Sequence, residues 1–335
     1  MKKHITRRTY LALSATAAAA GALPVHAEEQ KKPRVPKRAL GKTGVEIPII
    51  GVGTGTKFQG AYKNRDDDAV KLLHYAVDAG ITFFDTASSY GGGWSERRIG
   101  EVLKTRREEV FLATKMYGDT RDNLLREVEA KLKRLQTDHF DLLHIHKVMT
   151  MEEVDKLGQK DGSVETYYSL REQKVARFIG VTTHHDPLPI TVFIERHDFD
   201  CVQIVLNAAM QEVDNSGGNG WELDPGSRHS FETITLPAAR KKNMGILAMK
   251  VLGYGKLIGP PPHKADPQTL MRYAWSLPIT ASAVGMTSPK EVDQNAAWAA
   301  AFMPMPKEER DALSERLAAQ HKVALDRYFT HHDDC

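Results

Sequence analysis

The chain has 335 residues, 41% of them hydrophobic and 27% charged, enough for one large domain or two small ones. Its net charge of +3 comes from basic and acidic residues interspersed along the chain, which argues against a nucleic-acid-binding stripe and for a small-molecule substrate. Only two cysteines occur, Cys201 in an apolar run and Cys335 at the end, so nearby pairs cannot build a disulfide framework.

Residues 1–27 read as a cleaved export signal: basic residues, a run rich in Ala and Leu, then Val25-His26-Ala27. The apolar run over 10–23 is too short and too poor in strong hydrophobes for a permanent membrane anchor. Arg7-Arg8 in "TRRTYLAL" resembles the twin-arginine motif, so a periplasmic protein handed over by the twin-arginine export machinery is expected. Residues 28–38, charged and carrying Pro33 and Pro36, predict a flexible leader, followed by one domain over 39–325 and a tail over 326–335 that ends in a solvated "HHDDC".

Within the domain, short apolar runs alternate with longer amphipathic ones. "IPIIGVGTG" (47–55) precedes the helical "DDDAVKLLHYAVDAG" (66–80); "TFFDTA", "VFLATKM", "FDLLHIHKV", "ARFIGVTTH", "CVQIVLNAAM", "GILAMKVLG" and "ITASAVGM" follow, each separated by a segment able to form a helix. Eight Val-, Ile- and Leu-rich strands without a linker-like break predict parallel pairing and an α/β fold, a (β/α)8 TIM barrel. In "RDNLLREVEAKLKRLQ" (121–136), Leu124, Leu125, Val128, Leu132 and Leu135 form a core-facing stripe. Two Gly-rich insertions, 211–230 and 253–267, fall after the sixth and seventh strands, where a barrel keeps its active-site loops.

Asp85, Lys115 and His146 each end a strand and so open onto one rim. Burying a lysine there needs an anion, and Asp85 on the neighbouring strand is the expected partner. Tyr90, on the loop in "DTASSYGGGWSERRIG", can reach the same spot. An ammonium beside a phenol lowers its pKa and makes it a better acid toward a carbonyl oxygen, while a neutral His146 offers that oxygen a second hydrogen bond. No Ser-His-Asp or Cys-His set stands among these rim residues, so a bound hydride donor is expected. Trp94 and Trp221, on rim loops, are candidate walls of a substrate pocket. The pair His144 and His146 has the spacing of metal ligands on one strand face, but no Cys or Asp cluster accompanies it and no metal is expected.

The chain after residue 38 resembles the aldo-keto reductases, most specifically in "GITFFDTASSYGGGWSERRIGEVL" (80–103), "DLLHIH" (141–146) and "IGVTTHH" (179–185). The resemblance implies a catalytic tetrad of Asp85, Tyr90, Lys115 and His146, and an oxidoreductase that moves a hydride between a nicotinamide dinucleotide and an aldehyde or ketone, or the corresponding alcohol. The cofactor it implies is NADP, with NAD left open, bound without a Rossmann fingerprint. Thr54 would line it near the first strand, and Gln203 would hold the nicotinamide amide. Thr182 and Thr183 stand where many members have Ser-Asn, and Met249 stands where many stack an aromatic ring. Lys250, Leu252 and Gly253 follow toward the pyrophosphate. "VGMTSPKEVDQN" (284–295) resembles the adenosine-end segment, with Gly285, Thr287, Gln294 and Asn295 as contacts and with Lys290 and Glu291 beside them. The alternative is a nicotinamide-binding sensor or accessory subunit with little catalysis.

Overall fold

The computed structural model describes residues 34–210 and 229–330. The expected signal, most of the leader, nearly all of the 211–230 insertion with Trp221, and the "HHDDC" end lie outside the described residues.

An antiparallel hairpin comes first, β1 (Lys37–Ala39) with β2 (Glu46–Pro48). After it come β3 (Ile50–Gly53), α1 (Thr56–Tyr62), α2 (Asp66–Asp78), β4 (Phe83–Asp85), α3 (Trp94–Arg106), β5 (Phe111–Met116), α4 (Arg121–Leu135) and β6 (Phe140–His146). The second half continues with α5 (Met151–Gly158), α6 (Ser163–Glu172), β7 (Ala176–Thr183), α7 (Pro187–Arg196), β8 (Cys201–Val205), α8 (Leu236–Lys241) and β9 (Gly245–Met249). The last elements are α9 (Pro267–Ser276), β10 (Ala281–Val284), α10 (Pro289–Ala300) and α11 (Lys307–Thr330). Strands β3 to β10 pair in chain order, all parallel, and β10 returns to β3, closing the (β/α)8 barrel that the strand runs predict.

The strands read as continuous apolar runs because both of their faces are covered; β5 and β6 are buried at every position. Their inner faces supply a compact plug of Phe83, Phe111, Ala113, Leu142, Cys201, Leu247 and Ala281. Gly51 makes room in it, since a Cβ there would stand 2.2 Å from the Phe83 ring. The hairpin closes the N-terminal end by adding Leu40 and Ile47 to this cluster. Three helices start on the same device, a capping Asp or Ser followed by Pro, at Asp186-Pro187, Asp266-Pro267 and Ser288-Pro289.

Two boundaries differ from those read in the sequence. Strand β1 begins at Lys37, inside the stretch read as leader to 38, because its ladder with β2 orders a segment whose own side chains lie half or fully exposed. Helix α11 runs to Thr330, past the tail boundary at 326, because Leu325 and Phe329 bury against the barrel. On α4, Leu124, Val128 and Leu135 are buried as expected, Leu125 and Leu132 are half-buried, and Lys131 is also buried. Among the described residues no helix is long and apolar enough to cross a membrane.

Candidate active site

The C-terminal strand ends bring the four predicted rim residues together. The Lys115 ammonium donates to both Asp85 carboxylate oxygens, at 2.7 and 2.8 Å, and to the Thr86 carbonyl at 2.9 Å. Gln203 Nε2 donates to the same carboxylate at 3.1 Å. Lys115 is 1% exposed and Asp85 5%, so each charge depends on the other. Lys115 Nζ lies 5.2 Å from the centre of the Tyr90 ring, close enough to favour the phenolate when the proton leaves. The Tyr90 ring meets His146 edge-on at 6.4 Å, and Tyr117 stacks on His146 at 5.1 Å.

The loop that carries Tyr90 is held from both ends. Gly91, Gly92 and Gly93 all have φ between 57° and 78°, the left-handed region where glycine is free of strain. They turn the chain so that Ser95 N–H returns to the Tyr90 carbonyl at 3.3 Å. Ser95 Oγ donates to Thr54 Oγ1 at 2.5 Å, and Thr54 Oγ1 donates to the Asp85 carbonyl at 2.9 Å. Next to Ser95, the fully buried Glu96 accepts from Lys131 at 2.5 Å, Arg134 at 2.6 Å and Thr114 at 2.8 Å.

Burial pushes the Glu96 carboxyl up, but the Lys131 ammonium and the Arg134 guanidinium outweigh it and hold the group below its ordinary range. A carboxyl depressed in the fold stabilises above its unfolded pKa of about 4.3 and loses that contribution as pH falls through the lower folded value. Glu96→Gln strands the buried Lys131 charge and lowers stability at pH 7 by about 3 kcal/mol. Urea melts at pH 7 and pH 3 check both statements, the variant's deficit shrinking at the lower pH.

A cleft of about 410 Å³ starts at this tetrad, with Asp85 and Tyr90 in its wall. Its other walls are the end of β3 through the start of α1 (Gly53, Gly55, Lys57), the end of β9 with the loop after it (Met249, Lys250, Leu252, Tyr254) and Gly285 after β10. Gln203, which donates to the Asp85 of the cleft wall, is paired in register with Thr182 on β8 and β7. Thr182 Oγ1 and Gln203 Oε1 are both buried without a hydrogen-bond partner. Buried polar atoms are rarely left unpaired, and these two match the donor and acceptor of a carboxamide.

Residues 49–271 match the model of the Aldo/keto reductase family. The chain belongs to that family. It is therefore an NAD(P)-dependent oxidoreductase of carbonyl and alcohol groups. It is 27% identical over 301 residues to the L-galactose dehydrogenase of Arabidopsis thaliana, covering 79% of this chain and 88% of that one. Among solved structures it is similar to an aldo-keto reductase of Bacillus halodurans (TM-score 0.68, 19% identity, 88% of this chain and all of that one). It is also similar to an aldo/keto reductase of Klebsiella pneumoniae in complex with NADP and acetate (TM-score 0.65, 22% identity, 85% of this chain and 96% of that one).

The residues expected at the cofactor lie in several different surroundings. Met249, Lys250, Leu252 and Gly285 line the cleft, whereas Gly253 is buried behind it at φ 55°, with Leu257 filling the space of a Cβ. Thr54 lies beneath the cleft, its hydroxyl spent on Asp85 and Ser95. Thr183 points the opposite way from Thr182, as strand alternation demands, and accepts from His185 N–H at 3.2 Å. Thr287 donates its N–H and hydroxyl to Glu291 at 2.6 and 3.0 Å, and Glu291 pairs with Lys57 across the cleft mouth at 3.4 Å. Gln294 and Lys290 are exposed and Asn295 is buried.

Trp94 does not line the cleft at Asp85 and Tyr90: it packs on Phe58, donates to Asp66 at 2.9 Å and lines a separate groove. His144 is fully buried with neither ring nitrogen hydrogen-bonded, and burial, then Lys115 and His146, push its pKa well below the ordinary value. Among the described residues no cluster of His, Cys, Asp and Glu could hold a metal.

Because the Thr182 hydroxyl has no partner within the protein, Thr182→Val has opposite effects on two measurements. Thermal stability without cofactor stays level or rises by up to about 1 kcal/mol, while the Kd for NADPH rises about fivefold. Calorimetry and fluorescence titration of the same preparation check both.

Proposed function

We propose that this reductase uses NADP and reduces an aldehyde or ketone with Tyr90 as general acid, or oxidises the corresponding alcohol with Tyr90 as base. The observation that carries the reading is a shared residue: Asp85, in the cleft wall with Tyr90, accepts from Gln203, which with its strand neighbour Thr182 keeps two buried polar atoms unpartnered. Gln203 and Thr182 would hold the carboxamide, Met249 would cover a ring face as a polarisable thioether, and Lys250 and Gly285 would face the phosphates. Bound there, the reduced nicotinamide supplies the hydride. Tyr90 gives its proton to the carbonyl oxygen, Lys115 stabilises the phenolate left behind, and Asp85 keeps Lys115 charged and in place. His146 donates the second hydrogen bond that orients the carbonyl. The complex of the Klebsiella relative with NADP supports the choice of cofactor. Fluorescence titration with NADPH and then NADH tests it: saturable, tighter binding of NADPH is expected, and no binding of either nucleotide ends the reading.

We also propose that the chain is exported by the twin-arginine route and loses residues 1–27, on the strength of Arg7-Arg8, the short apolar run and the Val25-His26-Ala27 site. That route moves folded proteins, so the cofactor would travel inside the enzyme. N-terminal sequencing of periplasmic material should begin near Glu28; a start at Met1 contradicts cleavage.

A further inference from the structure

The outer wall of the cleft is built on two residues with left-handed backbones, Lys250 and Tyr254, each at φ 57°. Non-glycine residues adopt this conformation at a cost, so their surroundings must hold the loop. The end of α11 does so. Tyr254 meets Tyr328 at 5.8 Å and Phe329 edge-on at 6.2 Å. The Lys250 ammonium lies 5.2 Å from the Tyr254 ring centre and 5.6 Å from that of Phe329, while Lys256 sits 4.1 Å from Tyr328. Helix α11 is itself fixed to the same connection, with Arg316 donating to the Lys264 carbonyl at 3.1 Å and His321 to the His263 carbonyl at 2.6 Å. Phe329 is fully buried, so the last turn cannot shift without disturbing the rings around Lys250.

We infer that Tyr328 and Phe329 are positioning residues for the cofactor: with Tyr254 they form an aromatic cradle that holds Lys250 at the cleft as counter-charge to a dinucleotide pyrophosphate. The inference rests on the cofactor reading above. A lysine loses rotamer freedom when it grips an anion, and ring faces that attract the ammonium beforehand remove part of that cost while leaving it charged. The terminal helix, remote in sequence from every other cofactor residue, thereby becomes part of the binding site.

Fluorescence titration of the full-length protein with NADPH tests this. Phe329→Leu and Tyr328→Leu should each raise Kd about tenfold, whereas Tyr328→Phe, which keeps the ring, should stay within about twofold of the parent. Lys250→Met should weaken binding comparably, and Phe329→Leu added to it should weaken binding little further, because both act through the same ammonium. A merely structural role of the helix end predicts losses that add. If Phe329→Leu does not fold, Tyr328→Leu, at a half-buried position, carries the test. Unchanged affinity in the leucine variants, additive losses, or equal losses for Tyr328→Phe and Tyr328→Leu overturn the inference with the cofactor reading intact. A parent protein that binds neither NADPH nor NADH overturns both.

Discussion

Tyr90→Phe lowers kcat/KM for aldehyde reduction by about 10³- to 10⁴-fold, because it removes only the hydroxyl proposed as the proton donor. The ring contacts with His146 and Lys115 remain, at 6.4 and 5.2 Å, so the loop keeps its place. The loss therefore falls on turnover, and the affinity for NADPH changes by less than about threefold. Steady-state kinetics paired with a cofactor titration separate the two quantities. Substantial activity in this variant would assign the proton to another group.

Lys115→Met has the second large effect, and it acts on stability as well as rate. The Asp85 carboxylate would keep Gln203 Nε2 but lose both lysine contacts, at 5% exposure. Leaving a buried charge without its counter-ion costs about 3–5 kcal/mol. The rate falls about a hundredfold or more, because the phenolate of Tyr90 loses its stabilising charge. The double variant Asp85→Asn with Lys115→Met separates the contributions. It regains most of the stability, since no unpaired charge remains, and none of the rate. Denaturant melts and kinetics on the single and double variants check this, and a double variant that recovers turnover would make the pair purely structural.

Most of the architecture was legible in the sequence because a parallel barrel leaves strong local marks. The run "FDLLHIH" lacks apolar alternation because both faces of β6 are covered. The same logic placed Asp85, Lys115 and His146 on one rim. What stayed hidden depends on partners distant in the chain. Lys131 looks like one more charge on a polar helix, and its counter-ion Glu96 lies 35 residues away. Trp94 opens α3 beside the rim, yet its contacts with Phe58 and Asp66 place it in a separate groove. Strand β1 has no apolar alternation of its own to show, and the cradle around Lys250 joins residues nearly eighty positions apart.

The family resemblance implies Asp85, Tyr90, Lys115 and His146 as a tetrad, and the fold pairs Lys115 with Asp85 and sets its ammonium 5.2 Å from the centre of the Tyr90 ring. It also shows that the nearby histidine His144, fully buried and held neutral, belongs to the barrel interior and not to the rim.

Single-turnover hydride transfer decides whether Tyr90 serves as the acid in carbonyl reduction. Protein loaded with NADPH is mixed with an excess of a reactive aldehyde, and the absorbance of the reduced nicotinamide is followed in the parent protein and in Tyr90→Phe. The predicted result is a single exponential loss of that absorbance with stoichiometric alcohol formation, slowed by about 10³-fold or more in the variant. Bound NADPH that persists unchanged against a broad panel of aldehydes and ketones would contradict the account and leave a barrel that holds its nucleotide without using it.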